Sequence, residues 1–351
     1  MRILLHISVL LVVFSAYSQA PKYSNEFLSI GIGSRALAMA NATVASVSDV
    51  SSSYWNPAGM VYMPKDYEIG LMHAEYFAGI GKFDYMGGSM RLDSAHALGI
   101  TFIRFGVDDI PNTLDLYDSE GNISYNRIKY FSVADYAFLF SYARNMPVPG
   151  LSLGGNMKVI RRIIGEFAQA WGFGFDLASQ YRINRWMIGA TARDVTSTFN
   201  AWSFNEDLLR GPFAATGNEM PENSLELTLP RLIVGIAREV SLMKRLRLLA
   251  EMDADITFDG KRSDLIRSSF SSISPHGGFQ LNYDNIAFFR AGIGNMQYVT
   301  GYDGQYYDFQ PNIGVGVRFL NFILDYALTD IGDKSIALYS HVFSLNMSFN
   351  K

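Results

Sequence analysis

The chain of 351 residues contains no cysteine. That absence excludes disulfides, thiolate zinc sites, iron–sulfur clusters, a thiol nucleophile and a lipid-modified cysteine at the mature start. Charge is scarce as well: Asp, Glu, Lys and Arg make up 18% of the residues, against about 25% in an average soluble domain. With a formal net charge of −4 there is no broad basic field for nucleic acid. Beyond the N-terminus no segment has the roughly 18 uninterrupted apolar residues that a membrane helix needs. A G-x-S-x-G elbow, a phosphate loop and an H-E-x-x-H pair are all missing. The histidines after the leader, His73, His96, His276 and His341, are too dispersed for a metal motif. Gly31-Ile32-Gly33-Ser34-Arg35-Ala36 fits a dinucleotide pattern, but no alternation of strands and helices follows it. The expectation is a non-enzymatic protein with no catalytic residue, metal or cofactor.

What is present begins with an export signal. Arg2, the apolar run from Ile3 to Ala16, and the small and polar residues after it have the order of a secretory signal peptide. Cleavage after Ala16-Tyr17-Ser18 is preferred to cleavage after Ser18-Gln19-Ala20, which would put Pro21 directly behind the cut. A retained signal anchor is the alternative.

The rest of the chain alternates. Trp171, Phe173, Phe175 and Leu177 interleave with Gly172, Gly174, Asp176 and Ala178, and the same period of two recurs up to Phe343, Leu345, Met347 and Phe349. Such alternation marks strands with one apolar and one polar face. Fourteen are predicted, at 67–78, 82–92, 96–107, 133–145, 151–163, 167–181, 186–195, 228–240, 245–258, 272–283, 286–299, 309–319, 322–327 and 336–349. Tight turns such as Asn184-Arg185 and Asp284-Asn285 contrast with long connections at 108–132, 196–227, 259–271 and 300–308. Short turns on one rim and long loops on the other are the habit of outer-membrane barrels, in which closure leaves no backbone group unpaired in lipid. The fold expected is all-β, a 14-stranded antiparallel transmembrane β-barrel in contact with outer-membrane lipid. A soluble exported sandwich or propeller is the alternative, but its strands would be about half as long.

Aromatic residues near strand ends, Tyr76, Phe77, Phe83, Tyr85, Tyr130, Phe131, Trp171, Trp186, Tyr283, Tyr298, Tyr306, Tyr307 and Tyr339, fit interfacial girdles. The stretch before the first strand differs in kind. Rich in Ala, Ser and Gly with little alternation, it suits an N-terminal hatch folded back into the lumen as a plug. The expected organisation is a signal peptide (1–18), a hatch (19–66) and a barrel (67–351).

Within that stretch, Gly33-Ser34-Arg35-Ala36-Leu37-Ala38-Met39-Ala40-Asn41-Ala42, then Asp49, then Tyr54-Trp55-Asn56-Pro57-Ala58-Gly59-Met60, resemble the N-terminal signature of the PorV/PorQ family. That family belongs to the wider FadL-like group of outer-membrane proteins. Phe349 likewise resembles the terminal aromatic by which barrels are recognised for assembly. The resemblance implies a fourteen-stranded barrel with an internal hatch, in the outer membrane of a Gram-negative bacterium. It implies association with type IX protein secretion, with outer-membrane complex subunits or secreted cargo as partners. Through the FadL relatives it implies, as the alternative, a channel for uptake of hydrophobic small molecules.

Three groups of residues are candidates for function. Asn56, Pro57, Ala58 and Gly59 form the hatch motif, for which a structural role in the turn entering the first strand is preferred. Glu251, Asp253 and Asp255 point into the lumen, either as a cation-binding stripe or, preferably, paired with Lys158, Arg290, Arg318 or Arg35, because unpaired buried charge is costly. Phe199, Trp202, Phe204, Leu208, Leu209 and Phe213 lie in the longest loop and mark either a surface for a partner or ligand, or a lid over the barrel mouth.

Overall fold

The structure, a computed structural model, describes residues 24–350 except 115, 117–119, 261, 302–303 and 330–338. The expected signal peptide (1–18), its cleavage site and the first residues of the expected hatch (19–23) lie outside the described residues. Fourteen antiparallel strands follow one another around a ring: β1 (Tyr67–Tyr76), β2 (Gly81–Arg91), β3 (His96–Asn112), β4 (Lys129–Asn145), β5 (Leu151–Ile164), β6 (Ala168–Ile183) and β7 (Trp186–Arg193) make up the first half. The second half is β8 (Arg231–Met243), β9 (Leu246–Thr257), β10 (Ser272–Tyr283), β11 (Ala287–Gly301), β12 (Gly304–Phe319), β13 (Phe322–Thr329) and β14 (Ser340–Phe349). β1 pairs with β14 from Tyr67 opposite Phe349 to Glu75 opposite His341, so the sheet closes without an edge.

Alternation sets the two faces of the wall. Along β1, Glu68, Gly70, Met72, Ala74 and Tyr76 are buried inside, while Tyr67, Ile69 and Leu71 are exposed outside. Exposed Phe173, Phe175, Val315 and Val317 continue the outer apolar band. Strands of ten to seventeen residues in β1, β3 and β4, at roughly 3.3 Å per residue, can cross an apolar layer even when tilted. No helix among the described residues is long and apolar enough to cross a membrane. Trp171, Trp186, Tyr283, Tyr307 and Tyr339 face outward as a girdle requires. Tyr76, Phe83 and Tyr85 do not; they are buried inside, because their parity along β1 and β2 is inward.

The longest connection is more ordered than a loop. β7 breaks at residues 194–197, where Asp194 and Ser197 have positive φ, and then resumes as Thr198–Phe204 against β6. Helix α1 (Glu206–Thr216) follows, with Asn205 accepting from the Leu208 N–H at its start and left-handed Gly217 at its end. Leu225–Thr228 then pairs with Thr198–Ala201 before β8 begins. β3 and β4 also run past their expected ends by pairing residues 110–112 with 129–131 beyond an irregularity at Asp109.

Residues 24–63 pack against inward side chains of the ring, in short turns of helix: α2 (Ser34–Ala38), α3 (Ser52–Trp55) and 3-10 segments at Glu26–Ser29 and Pro57–Tyr62. Their apolar side chains, among them Phe27, Ile32, Leu37, Tyr54 and Trp55, pack with inward Phe83, Ile103, Leu139 and Ile160 into the principal core. Most of the large apolar side chains turned inward from the wall, Phe83, Ile103, Leu139 and Ile160, stand on β2 to β5, while buried charges sit on both sides, as Glu68 and Lys158 do on β1 and β5 and Glu251 and Asp253 on β9.

Candidate functional site

Two carboxylates on β9 hold the internal segment. Asp253 Oδ2 accepts the backbone N–H groups of Thr43 and Val44 at 2.8 and 2.9 Å, and Glu251 Oε1 accepts those of Ala45 and Ser46 at 2.7 and 3.1 Å. Successive amides on one turn form a concave donor set that suits an anion. Both carboxylates are buried, and the second oxygen of each has no hydrogen-bond partner among the described residues. Elsewhere on the ring, Glu68 on β1 accepts from the Val50 N–H at 2.9 Å. Gln180 on β6 and Thr191 on β7 donate to the carbonyls of Val47 and Trp55 at 3.1 Å each. Arg193 on β7 donates to the carbonyls of Leu28 and Tyr54. The Ser34 N–H donates to Ser344 Oγ on β14 at 2.7 Å.

The wall leaves room for a backbone at several inward glycines, Gly189, Gly292 and Gly154 among them. A Cβ at Gly189 on β7 would sit 2.2 Å from the Val44 carbonyl oxygen, at Gly292 on β11 2.3 Å from the Met39 carbonyl carbon, and at Gly154 on β5 2.6 Å from the Ala58 nitrogen. No side chain fits there while the segment stays in place. The Asn-Pro-Ala-Gly motif meets this wall. Asn56 Oδ1 accepts from the Ala58 N–H, while its Nδ2 donates to the carbonyls of Val44 and Ser179 at 2.8 and 3.0 Å. Pro57 starts the 3-10 turn, and a Cβ at Gly59 would lie 2.3 Å from the Val47 carbonyl oxygen.

A second buried charge cluster lies at the break in β7. Lys158 Nζ on β5 contacts Asp176 at 2.8 Å and Asp194 more closely still. The Asp194 N–H donates to Asp176 Oδ1 at 2.9 Å, and Thr198 Oγ1 donates to Asp194. The cluster thereby ties the two halves of the interrupted strand to β5 and β6.

The internal segment leaves a cup toward each rim. Toward the long loops is a cavity of about 490 Å³, bordered by Trp55, Tyr76, Arg193, Arg231, Asp255 and His276. Toward the tight turns is one of about 580 Å³, bordered by Arg35, Tyr62, Arg182, Arg290, Arg318 and Asp325. Among the described residues no group of three His, Asp or Glu side chains has the spacing to hold a metal ion.

The sequence candidates are distributed as follows. Glu251 and Asp253 do face the lumen, but their partners are backbone amides of residues 43–46, not the expected cations; those amides reach the acids first. Asp255 lies 3.9 Å from Arg231, and Arg290 pairs with Asp325 at 2.7 Å. Arg318 lines the cup at the tight turns, with its guanidinium 5.8 Å from the Phe288 ring centre. The aromatic loop set divides. Phe199 is outward on the resumed strand with its ring 5.9 Å from that of Phe173, so it belongs to the outer face of the wall. Trp202 stacks with Phe204, donates to Glu226 at 3.1 Å and lies under the Arg162 guanidinium. On α1, Leu208 is exposed, Leu209 is buried and Phe213 is half-buried. The glycines that admit the segment went unrecognised; their only signal was that they share the inward parity of their strands.

In fold the chain resembles solved hydrocarbon channels. The Pseudomonas putida toluene transporter TodX shares 12% identity with a TM-score of 0.58, covering 92% of this chain and 99% of that one. The CymD monoaromatic hydrocarbon channel shares 14% with a TM-score of 0.56 over 92% and 98%. The Ralstonia pickettii toluene transporter TbuX shares 14% with a TM-score of 0.52 over 91% and 99%. At such identities the likeness is one of fold, an outer-membrane barrel. No curated protein matches this sequence. Residues 19–194, half of the chain, match the family model described as type IX secretion system protein PorV, and the chain belongs to that family.

Proposed function

We propose that this outer-membrane barrel is a non-enzymatic accessory subunit of a protein-export machine of the type IX class, exported by a cleaved signal peptide, with its long loops outside the cell. The observation that supports this most is the filled lumen. The segment carrying the family signature is hydrogen-bonded to β1, β6, β7, β9 and β14, and it separates two cups whose borders carry Arg, Asp and His side chains. A barrel so closed works through its surfaces, by contact with partner subunits or secreted cargo. On the long loop, exposed Leu208 of α1 is the side chain offered for such contact, with half-buried Trp202, Phe204 and Phe213 on the same loop. The Asn56 to Gly59 motif acts as a brace for the internal segment.

Native pull-down in mild detergent, at chromosomal expression, tests this. Recovery of a large membrane protein or of exported cargo is expected, and a barrel recovered alone would overturn the reading. A second reading, a conduit for apolar compounds, draws on the break in β7, beside which Leu28, Tyr54 and Leu139 border a small cavity. Under that reading, deletion of the gene impairs uptake of an apolar compound and leaves export intact.

A further inference from the structure

The polarity of the wall reverses on one side of the barrel. On β1 to β3 the outward positions nearest the tight turns are apolar, for example Leu71, Met86 and Ile100, all exposed. A few residues further up they become His73, Glu75, Lys82, Asp84, Arg104 and Asp108. His73 Nδ1 lies 2.7 Å from Asp84, Arg104 contacts Asp84 at 3.4 Å and Asp108 at 3.7 Å, and Lys82 contacts Asp108 at 3.0 Å. The patch continues onto β14, where His341 lies opposite Glu75 and within 2.8 Å of Tyr326 Oη. Register and parity leave no doubt about direction: His73 pairs with Asp84 and Asp84 with Arg104, while inward neighbours Phe83 and Ile103 are fully buried.

The height of the patch is what requires a partner. His73 and Asp84 stand six and seven residues from the strand ends at Tyr67 and Arg91, roughly 15–18 Å along the barrel axis for a tilted strand, within an apolar band about 25 Å tall. At the corresponding height elsewhere the outward residues are Met252, Ile293 and Leu177, all exposed and apolar. A Lys or Arg on a lipid-facing wall costs about 2–4 kcal/mol at the bilayer midplane, falling to about 0–1 kcal/mol toward the interfaces, and Asp or Glu costs less. This patch above the midplane therefore carries a smaller penalty per residue, summed over six polar side chains. Above them, at the β1–β2 tip, Phe77 and Ile80 are exposed, so apolar side chains flank the charges on both sides.

We infer that the outer face of β1 to β3, with the adjoining part of β14, is the contact surface for a second integral outer-membrane chain, one that presents hydrogen-bonding side chains with a surplus of positive charge within the bilayer. This rests on the export-subunit reading and names the face that reading requires. The charge balance selects the partner. Three carboxylates, Glu75, Asp84 and Asp108, stand against two fixed cations, Lys82 and Arg104, a poor match for the phosphates of a lipid headgroup and a good one for a cationic protein surface.

The absence of cysteine makes the test direct. Glu75→Cys, Asp84→Cys and Met86→Cys, with Met252→Cys on the far wall and Glu206→Cys in the loop as references, are each expressed in the native cell, checked for the mobility shift of a folded barrel, and labelled with a benzophenone maleimide. Met86→Cys removes no charge, so it reports even if the other two fail to fold. Illumination is expected to join the patch positions to one discrete heavier protein, with no such product at Met252→Cys. Three results would overturn the inference: photocrosslinking to lipid equal to that at Met252→Cys with no protein adduct, labelling by a water-soluble maleimide as complete as at Glu206→Cys, or an adduct between two differently tagged copies of this chain. If the pull-down recovers a partner and the patch gives no adduct, the face is wrong and the export reading stands. If neither finds a partner, both fall.

Discussion

Asp253 and Thr43 are 210 positions apart in the chain, and the carboxylate of one accepts the backbone N–H of the other at 2.8 Å in the middle of the barrel. With Val44 on the same oxygen and Ala45 and Ser46 on Glu251, one turn of the internal segment depends on two side chains of β9. Asp253→Ala leaves two buried N–H groups without an acceptor, at a cost of about 1–3 kcal/mol each. Faster amide exchange at residues 43–46 is expected, with exchange along β3 and β4 unchanged. Asp253→Asn keeps an acceptor oxygen and should fall between. Unaltered exchange at 43–46 in the alanine variant would show that the segment is held by packing alone.

The glycine contacts make a steric counterpart. Gly189→Val and Gly292→Val would drive a side chain into the backbone at Val44 and Met39, neither of which can yield without moving the turn. Proteolytic nicking within residues 38–48 should appear in both variants while the barrel remains folded by its mobility on unheated gels. Gly211→Val in α1, where a Cβ meets nothing within 4 Å, is the control and should leave the segment protected.

These relationships also mark what could be read from the sequence. Period-two patterning located all fourteen strands, because each wall residue faces either the outer apolar band or the lumen. It fails where the ladder is irregular: the positive φ at Asp109 hides the extension of β3, and the break at 194–197 disguises Thr198–Phe204, which carries outward Phe199, as loop. The acidic parity of Glu251 and Asp253 was legible, but not their partners. Backbone amides carry no sequence signature, and only the folded segment shows that residues 43–46 reach β9 before any arginine does. The outward charges on β1 to β3 were legible residue by residue, and took on meaning only when register placed His73, Asp84 and Arg104 side by side.

Lys158 should be the most sensitive single charge in the wall. Lys158→Met leaves Asp176 and Asp194 facing each other in a buried site, where breaking such a pair costs about 3–5 kcal/mol. A lower denaturation temperature is expected, together with loosening of the break in β7, read as faster exchange at residues 194–198. Adding Asp176→Asn and Asp194→Asn to Lys158→Met should recover part of the loss. A triple variant no better than the single would mean that the lysine stem, and not its charge, does the holding.

Outside the membrane-spanning wall, Asp259 and Arg262 give a pH dependence of known sign. Burial works to raise the Asp259 carboxyl, but the Arg262 guanidinium, bonded to both oxygens at 3.0 and 2.8 Å, outweighs it and holds the acid below its usual range. A carboxyl lowered in the folded state stabilises at pH above the unfolded value, and that contribution is lost as pH falls through the lowered folded value. Arg262 also donates its backbone N–H to Ser272 Oγ at 2.9 Å, so the pair anchors the start of this connection to the first residue of β10. Amide protection at Arg262 should therefore hold from neutral pH down to the ordinary carboxylate range and fade only below it. In Arg262→Gln the strongest interaction that opposes burial is gone, the Asp259 carboxyl rises, and protection should fade at a higher pH than in the parent. Identical pH profiles for the two proteins would mean that the Ser272 contact fixes the loop without help from the ion pair.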